Sequence, residues 1–192
     1  MTLGAVILAA GSGTRLGGVA KALLRTGDET YLARIVRIAR LAGTTRFVVV
    51  VGRPHDQQVG DAARALGLDV VINPGPERGM ASSIALGFTT MSHHEVDAAW
   101  LWPVDHPNVE LGTLEALLAA RGTHEVCQPR FGGRGGHPPL VARALWSRLA
   151  ACADVEGGAR TVMATASIAR VPVEDGGVVR DIDTPADLAE VG

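Results

Sequence analysis

Short apolar runs alternate with amphipathic segments along most of the chain, and this alternation constrains the fold more than any other feature. The runs are continuous and rich in β-branched residues, as is typical of strands buried on both faces of a sheet. They are Ala5–Ala10, Phe47–Val51, Val70–Ile72, Ala98–Trp102, Val126–Gln128 and Ile168–Val173. The segments predicted as helices are residues 31–42, Asp56–Leu66, Ala81–Met91, Leu111–Ala120 and Ala142–Ala151. Strands that alternate with helices predict an α/β fold, a three-layer sandwich around a mostly parallel, Rossmann-like sheet.

The length of 192 residues suits one domain, which we predict to span residues 1–192. Residues 126–180 are less regular, and their segments "FGGRGGHPP" and "VEDGGVV" predict an extension of the sheet with longer loops. The formal net charge of -2 gives no broad attraction to nucleic acid or to an anionic membrane, so we expect neither as a partner. Any phosphate group must therefore be bound by a local site.

The cysteines and the first residues are typical of a cytoplasmic protein, which is the location we expect. Cys127 and Cys152 do not form a CxxC pair, and two buried, reduced thiols are the simplest interpretation. No basic residue precedes the first apolar run, and that run is short for a signal peptide. No apolar run approaches the ~20 residues that a membrane span needs.

A glycine-rich loop with two cations follows the first predicted strand, in "LAAGSGTRLGGVAK". Ligands of such folds lie beyond the carboxyl ends of the strands. The glycines of the loop are Gly11, Gly13, Gly17 and Gly18. Glycine lets backbone N–H groups surround an anion, Arg15 adds a planar fork of donors, and Lys21 adds a compact charge. The loop predicts a polyphosphate site, although a flexible loop with solvated cations remains an alternative at this point.

The loop is neither of two familiar phosphate-binding motifs. A P-loop requires lysine where this chain has Val19. The dinucleotide fingerprint requires a third glycine where this chain has Leu16, and the acidic residue expected about 20 positions later is absent. A nicotinamide-dependent oxidoreductase is therefore disfavoured.

Carboxylates follow two other predicted strands. Asp105 comes just after the strand Ala98–Trp102, in a turn between Pro103 and Pro107. Asp181 and Asp183 have strand spacing in "VVRDIDTPADL", and Thr184-Pro185 is typical of a helix start. Mg2+ prefers one or two carboxylates together with substrate phosphates, and Asp105 and Asp183 could supply that pair. A turn aspartate and a helix N-cap are the alternatives for the two residues taken singly.

Five ordered segments resemble the molybdenum cofactor nucleotidyltransferase family, which has the LAAGxGxRxG…K pattern. They are "LAAGSGTRLGGVAKALL", "NPGPERGMASSIALG", "PVDHP", "GGRGGHPPLV" and "DIDTPADL". The resemblance covers nearly the whole chain and implies a sheet of the nucleotide-diphospho-sugar transferase type. "LAAG" followed by a GHP segment resembles the cytidylyltransferase branch, whereas guanylyltransferases more often have LAGG. Three positions depart from the family pattern: Ala20, His106 and the extra glycine in "RGGHPP".

The resemblance also implies roles for individual residues. Gly11, Gly13 and Arg15 would surround the β- and γ-phosphates of the nucleotide, and Lys21 would contact the α-phosphate. The base and ribose would be contacted by Leu8, Ala9, Ala10, Gly79 and Ser83. Asp105 and Asp183 would hold Mg2+, and Arg15, Lys21 and Asp105 would be catalytic. His137 would bind the acceptor, although a histidine that only shapes its loop is an equally good interpretation.

The implied reaction is the transfer of CMP from CTP to the terminal phosphate of molybdopterin cofactor, with release of pyrophosphate. A phosphate monoester is largely dianionic at neutral pH, so the attack requires no general base. Two alternatives keep this chemistry, with GTP as the nucleotide or with a sugar phosphate as the acceptor. An alternative of another class is a non-catalytic accessory protein that binds the nucleotide or cofactor for a molybdoenzyme. Transient docking to molybdoenzymes is a further expectation from the family alone.

Overall fold

A central sheet of eight strands is formed by the described residues. The structure is a computed structural model that describes residues 1–183 and 187, and only the backbone of Arg15. Its strands are β1 Leu3–Ala9, β2 Arg25–Thr26, β3 Glu29–Thr30, β4 Thr44–Gly52, β5 Asp69–Asn73, β6 Ala98–Pro103, β7 Val126–Phe131, β8 Arg134–Gly135, β9 Leu140–Ala142 and β10 Ile168–Pro172. Strands β2 and β3 form a separate antiparallel pair.

The strand order of the main sheet is β10-β7-β9-β6-β1-β4-β5, with β8 paired to β7. Strand β1 pairs in parallel with β4 on one side and with β6 on the other, and β4 pairs in parallel with β5. The chain therefore winds outward in both directions from β1, and a crevice opens at the carboxyl ends of β1 and β6 where the winding reverses. Strand β9 is antiparallel to both β6 and β7.

Helices cover both faces of the sheet. They are α1 Tyr31–Leu41, α2 Asp56–Ala65, α3 Met80–Met91, α4 Leu111–Ala120, α5 Trp146–Ala150 and α6 Gly158–Ala164. Alternate residues of β1 enter two separate cores, since Ile7 packs with α1, α2 and α4, whereas Val6 and Leu8 pack with α3, α5 and α6. The predicted three-layer α/β sandwich with a mostly parallel sheet is confirmed.

The predicted strands and most predicted helices are present, with differences in the second half of the chain. Ala142 belongs to strand β9 and not to a helix. The helix predicted there is a short 3-10 turn, Arg143–Leu145, followed by α5. Strand β9 and helix α6 were not predicted. The prediction of a strand around Asp181 is wrong, because residues 180–183 form no strand.

Several smaller predictions can also be compared with the structure. The two cysteines are buried and free, as predicted. Ile182, which lies between Asp181 and Asp183, is fully buried in the core. The helix start predicted at Thr184-Pro185 lies outside the described residues, and the single domain over residues 1–192 stays a prediction. No helix in the described part of the chain has the length and apolar character needed to cross a membrane.

Candidate active site

A cleft of about 330 Å³ opens at the carboxyl ends of β1 and β6, where the winding of the sheet reverses. Its lining includes most of the residues that the sequence singled out. They are Leu8, Ala9, Ala10, Gly11, Gly13, Lys21, Gly79, Ser83, Asp105 and Asp183. Residues that the sequence did not single out for the site complete the lining: Thr14, Ala20, Ala22, Val59, Pro76, Met80, Pro103 and Val104.

The loop after β1 is tightly folded around Gly13. This residue has a φ of 63°, and a Cβ atom there would lie 1.9 Å from the backbone oxygen of Val19. The Gly13 carbonyl accepts hydrogen bonds from the N–H groups of Leu16 and Gly18, both at 2.9 Å. Only glycine therefore fits at this position. The side chain of Arg15 lies outside what the structure describes, so its phosphate contact stays a prediction.

Lys21 places its ammonium group between two carboxylates. Lys21 Nζ lies 3.3 Å from Asp105 Oδ2 and also contacts Asp183 Oδ1. The three side chains are between 17% and 24% exposed, so they are shielded from bulk water but open to the cleft. The N-terminal cation and the two distant aspartates predicted to form one site therefore converge.

Backbone hydrogen bonds hold the two carboxylates together. The Ile182 N–H donates to the Asp105 carbonyl at 2.9 Å, and the buried Ile182 side chain anchors the segment that carries Asp183. The turn that carries Asp105 is fixed by Trp102, whose Nε1 donates to the His106 carbonyl at 2.9 Å. The Asp183 N–H donates to Asp187 Oδ2 at 3.0 Å. Both carboxylates are thus set by the core beneath them.

The carboxylate pair fits a divalent cation. Its oxygens are hard donors, and both already share one positive charge, the Lys21 ammonium. No group of three or more histidine, cysteine or acidic residues that could hold a metal ion occurs among the described residues. A site with only two protein carboxylates suits Mg2+, which takes its remaining ligands from water and substrate phosphates.

The opposite wall of the cleft is formed by the segment between β5 and α3. Gly79 precedes α3 with a φ of 92°, a conformation that favours glycine. Ser83, in the first turn of α3, lines the cleft and is 6% exposed. Its Oγ accepts a hydrogen bond of 2.9 Å from the side chain of Asn73, the buried last residue of β5. Sequence reasoning missed Asn73, although a polar residue at the carboxyl end of a parallel strand was a usable signal.

His137 is not among the residues that line the cleft. Its ring lies 5.0 Å from the ring of His106, centroid to centroid, and its Nδ1 atom is buried and has no hydrogen-bond partner among the described residues. Burial, together with the nearby His106, lowers the pKa of His137 to about 4, despite the opposing effects of Asp105 and Asp181. The predicted contact of His137 with an acceptor stays a prediction.

Residues 5–171 match the family model described as the MobA-like NTP transferase domain, which covers most of the chain. The chain belongs to this family. Its resemblance to molybdenum cofactor nucleotidyltransferases is thereby confirmed, and MobA-like enzymes use a nucleoside triphosphate and a phosphorylated acceptor. The sheet is of the nucleotide-diphospho-sugar transferase type.

The MobA-like chain has relatives with several different names. It is 28% identical to the molybdenum cofactor guanylyltransferase of Rhodopseudomonas palustris, with 97% of this chain and 89% of the relative covered. It is 27% identical to the nicotine blue oxidoreductase of Paenarthrobacter nicotinovorans, over 82% and 79% of the two chains. It is 37% identical to the bifunctional IPC transferase and DIPP synthase of Thermococcus kodakarensis, but the match spans 43% of this chain and only 19% of that protein.

Solved structures show the same fold over the full length of the MobA-like chain. Rv0371c from Mycobacterium tuberculosis superposes with a TM-score of 0.84 at 27% identity, covering 100% of this chain and 98% of that one. The structure of Rv0371c in complex with manganese has a TM-score of 0.79 at 26% identity, with the same coverage.

Proposed function

We propose that this protein is a Mg2+-dependent nucleotidyltransferase that transfers CMP from CTP to the terminal phosphate of molybdopterin cofactor. The observation that carries the proposal is the convergence of Lys21, Asp105 and Asp183 in a cleft beside a glycine loop. That arrangement suits a triphosphate and a divalent cation at the point where α/β folds bind ligands. The manganese complex of Rv0371c gives further support for a divalent metal.

In the proposed reaction, an oxygen of the acceptor phosphate attacks the α-phosphorus of CTP. A new P–O–P bridge forms, the bond from the α-phosphorus to the bridging oxygen of the β-phosphate breaks, and pyrophosphate leaves. Because the acceptor phosphate is already ionised, the protein has only to position the groups and to offset the growing negative charge.

The residues of the cleft would have separate roles in this reaction. The glycine loop, with Gly11 and Gly13, would bind the β- and γ-phosphates together with Arg15. Lys21 would exchange its carboxylate partners for the α-phosphate and stabilise the charge that develops there. Asp105 and Asp183 would hold the divalent cation, which when bound neutralises phosphate oxygens of the nucleotide. Asp105 would therefore act through the metal.

The choice of CTP is supported by the floor of the cleft. Ala10 lines the cleft at a position where guanylyltransferases of this family more often have glycine. If residue 52 carried a Cβ atom instead of being glycine, that atom would lie 3.0 Å from the Ala10 methyl group. The methyl group therefore fills the space between the ends of two strands. In the proposal, this methyl group narrows the space for the base and thereby favours a pyrimidine over a purine. Leu8 and Ala9 would complete the contact with the base, opposite Gly79 and Ser83.

The acceptor end of the proposal is supported by chemistry and by the family. The family uses a phosphorylated acceptor, and the name of one relative that matches nearly the whole chain, a molybdenum cofactor guanylyltransferase, supports molybdopterin cofactor as that acceptor. His137 would act at this end, and transient docking to molybdoenzymes would follow transfer. The cytoplasm is the compartment we propose, because the nucleotide is made there.

A second candidate function deserves a direct test because of one relative. The nicotine blue oxidoreductase matches most of this chain, so an oxidoreductase that uses a nicotinamide cofactor is the rival of another class. The missing dinucleotide fingerprint disfavours it. A non-catalytic accessory protein would bind the nucleotide without turnover.

The deciding experiment is a pyrophosphate-release assay with CTP, GTP, ATP and UTP, each with molybdopterin cofactor or with a panel of sugar phosphates. We expect release with CTP and molybdopterin cofactor, and its loss when EDTA removes the divalent cation. The matched variant Asp105→Asn, which removes one of the two carboxylates proposed to hold the cation, should also lose release with the same substrates. Release with GTP alone would reject the assignment of the base, and release only with a sugar phosphate would reject that of the acceptor. NADH oxidation without any pyrophosphate would favour the oxidoreductase.

A further inference from the structure

The side chain of Asn73 makes three hydrogen bonds at the wall of the cleft, and their directions are fixed. Asn73 Oδ1 accepts from the backbone N–H of Gly75 at 3.0 Å. A backbone N–H can only donate, so this bond identifies the amide oxygen. The amide nitrogen Nδ2 must then donate its two hydrogens, one to Ser82 Oγ at 2.8 Å and one to Ser83 Oγ at 2.9 Å. Asn73 is 4% exposed, so water does not compete for these bonds.

The two serines use their own hydrogens differently. Ser82 Oγ donates to the carbonyl of Gly79 at 2.8 Å, which leaves Ser82 satisfied within the protein. Among the described residues, Asn73 is the one hydrogen-bond partner of the Ser83 hydroxyl, which accepts in that bond. Ser83 lines the cleft. Since a lone pair of its oxygen is held by Asn73, its hydrogen is free to point toward a ligand in the cleft.

We propose that Asn73 is a positioning residue that makes Ser83 a hydrogen-bond donor to the bound nucleoside. The inference rests on the proposed function, because it takes a nucleotide as the occupant of this wall. A donor at this place selects a nucleoside with an acceptor atom facing it, such as a carbonyl oxygen or an unprotonated ring nitrogen of the base. Cytosine carries both along its pairing edge, whereas guanine carries N–H donors beside one carbonyl.

The variant Asn73→Asp tests the direction of the bond. Aspartate keeps the acceptor for Gly75, but it has no hydrogen for Ser83, whose hydroxyl must then turn and donate to the carboxylate. The cleft would face a lone pair instead of a hydrogen. We expect the Kd and KM for CTP to rise about 10- to 100-fold, as for a lost ligand hydrogen bond, with the KM for the acceptor unchanged.

The same substitution in a Ser83→Ala background separates positioning from a structural role. Without the hydroxyl, Asn73→Asp should change the affinity for CTP less than about twofold, because there is no hydrogen left to turn. Ser82→Ala is the matched control, since Ser82 has the same partner but does not line the cleft; its affinity for CTP should stay within about twofold of the original. If the Asn73→Asp variant does not fold, Asn73→Ala gives the same comparison, because loss of the amide also frees the Ser83 hydroxyl to rotate.

Calorimetric titration with each of the four nucleoside triphosphates, alongside melting temperatures, completes the test. An equal loss of affinity in both Ser83 backgrounds, or no loss in either, would overturn the role of Asn73. Failure of the unaltered protein to release pyrophosphate would reject the proposed function instead, and the cycle would then be measured with whichever nucleotide binds. If no nucleotide binds the unaltered protein, the role of Asn73 is rejected as well.

Discussion

Lys21 occupies the place between Asp105 and Asp183 that a divalent cation would take. Replacement by methionine keeps the length of the side chain and removes its charge. We expect kcat to fall about 100-fold or more, because a preorganised charge at the reacting phosphate is lost. The affinity for the nucleotide should fall much less. Stopped-flow measurement of pyrophosphate release, with nucleotide titration under the same conditions, separates the two effects.

The same variant should bind a divalent cation more tightly in the absence of nucleotide. The two carboxylates lose their internal partner, and their repulsion is relieved by a metal ion. Titration of Mn2+ followed by electron paramagnetic resonance measures this directly. Lys21→Arg, which retains the charge, is the control and should leave the Mn2+ affinity nearly unchanged. Weaker Mn2+ binding by the methionine variant would argue against a metal site at this pair.

Ala10→Gly tests the choice of base at a single methyl group. Removal of the methyl enlarges the floor of the cleft, so we expect kcat/KM for GTP to rise relative to that for CTP by about 10-fold, near the effect of one methyl group in an apolar pocket. Competition between the two nucleotides in one reaction gives this ratio without separate calibration. A ratio that does not move would mean that the base is selected elsewhere in the cleft.

Residue chemistry and chain order were sufficient to predict the central group of the site. Lys21 follows a glycine-rich loop, Asp105 follows an apolar run and a proline, and Asp183 follows the apolar residue Ile182. Each of these signals is visible in the amino-acid sequence. Asn73 gave a weaker signal, because an asparagine at the carboxyl end of a strand has the same appearance whether it closes a turn or orients a neighbouring hydroxyl. For His137 the sequence left an acceptor contact and a loop-shaping role open, and it gave no sign that the ring lies beside His106 with a buried Nδ1 atom.

At the scale of elements, the packing of α3 against the sheet depends on Gly87. A Cβ atom there would lie 2.4 Å from Val6 Cγ1 and 3.0 Å from Val50 Cγ2. We expect Gly87→Ala to lower the free energy of unfolding by about 1–3 kcal/mol, because β1, β4 or the helix must shift. Denaturant unfolding followed by circular dichroism measures the change.

Gly112→Ala is the matched control for this substitution. Gly112 also lies in a helix, α4, but no atom of the described residues outside its own helix lies within 4 Å of the place that a Cβ atom would take there. The free energy of unfolding should stay the same or rise by up to about 1 kcal/mol, since alanine is the better helix former. Equal losses for both variants would show that the cost is not due to contact with the sheet.

Strands and helices were predicted correctly where the spacing of apolar residues in the sequence agrees with the pattern of burial in the structure. The strand Ala98–Trp102 reads as continuously apolar because both of its faces are buried, and it is present as β6. Strand β9 is only three residues long and is antiparallel to its neighbours, so it does not follow the strand–helix alternation on which the prediction depended. Helix α6 is only seven residues long and begins at a glycine, so the apolar stripe of Ala159, Val162 and Met163 is too short to stand out in the sequence.

At the scale of the whole molecule, stability should depend on pH through His137. Its pKa is lowered to about 4 in the folded protein, against about 6.5 in the unfolded chain. Between these values the unfolded state binds more protons, so the free energy of unfolding falls as the pH is lowered from about 6.5 to about 4. The contribution is fully present above pH 6.5, and its loss is on the order of 3 kcal/mol.

Urea unfolding at several pH values between 7.5 and 4 measures this dependence. The variant His137→Gln cannot take up a proton in this range and serves as the reference, because carboxylates and the other histidines titrate in both proteins. As the pH falls, the free energy of unfolding of the unaltered protein should fall relative to that of the variant. Parallel curves would mean that His137 keeps an ordinary pKa in the folded protein.

The pairing of Lys21 with Asp183 joins positions that are 162 residues apart. During synthesis on the ribosome, the glycine loop and most of the sheet leave the exit tunnel long before residue 183 does. If the proposed site is correct, a nascent chain of that kind would expose the glycine loop but would have only one of the two carboxylates proposed to hold the divalent cation. We therefore expect incomplete chains to turn over no nucleotide until the segment that carries Asp183 has packed beside Asp105.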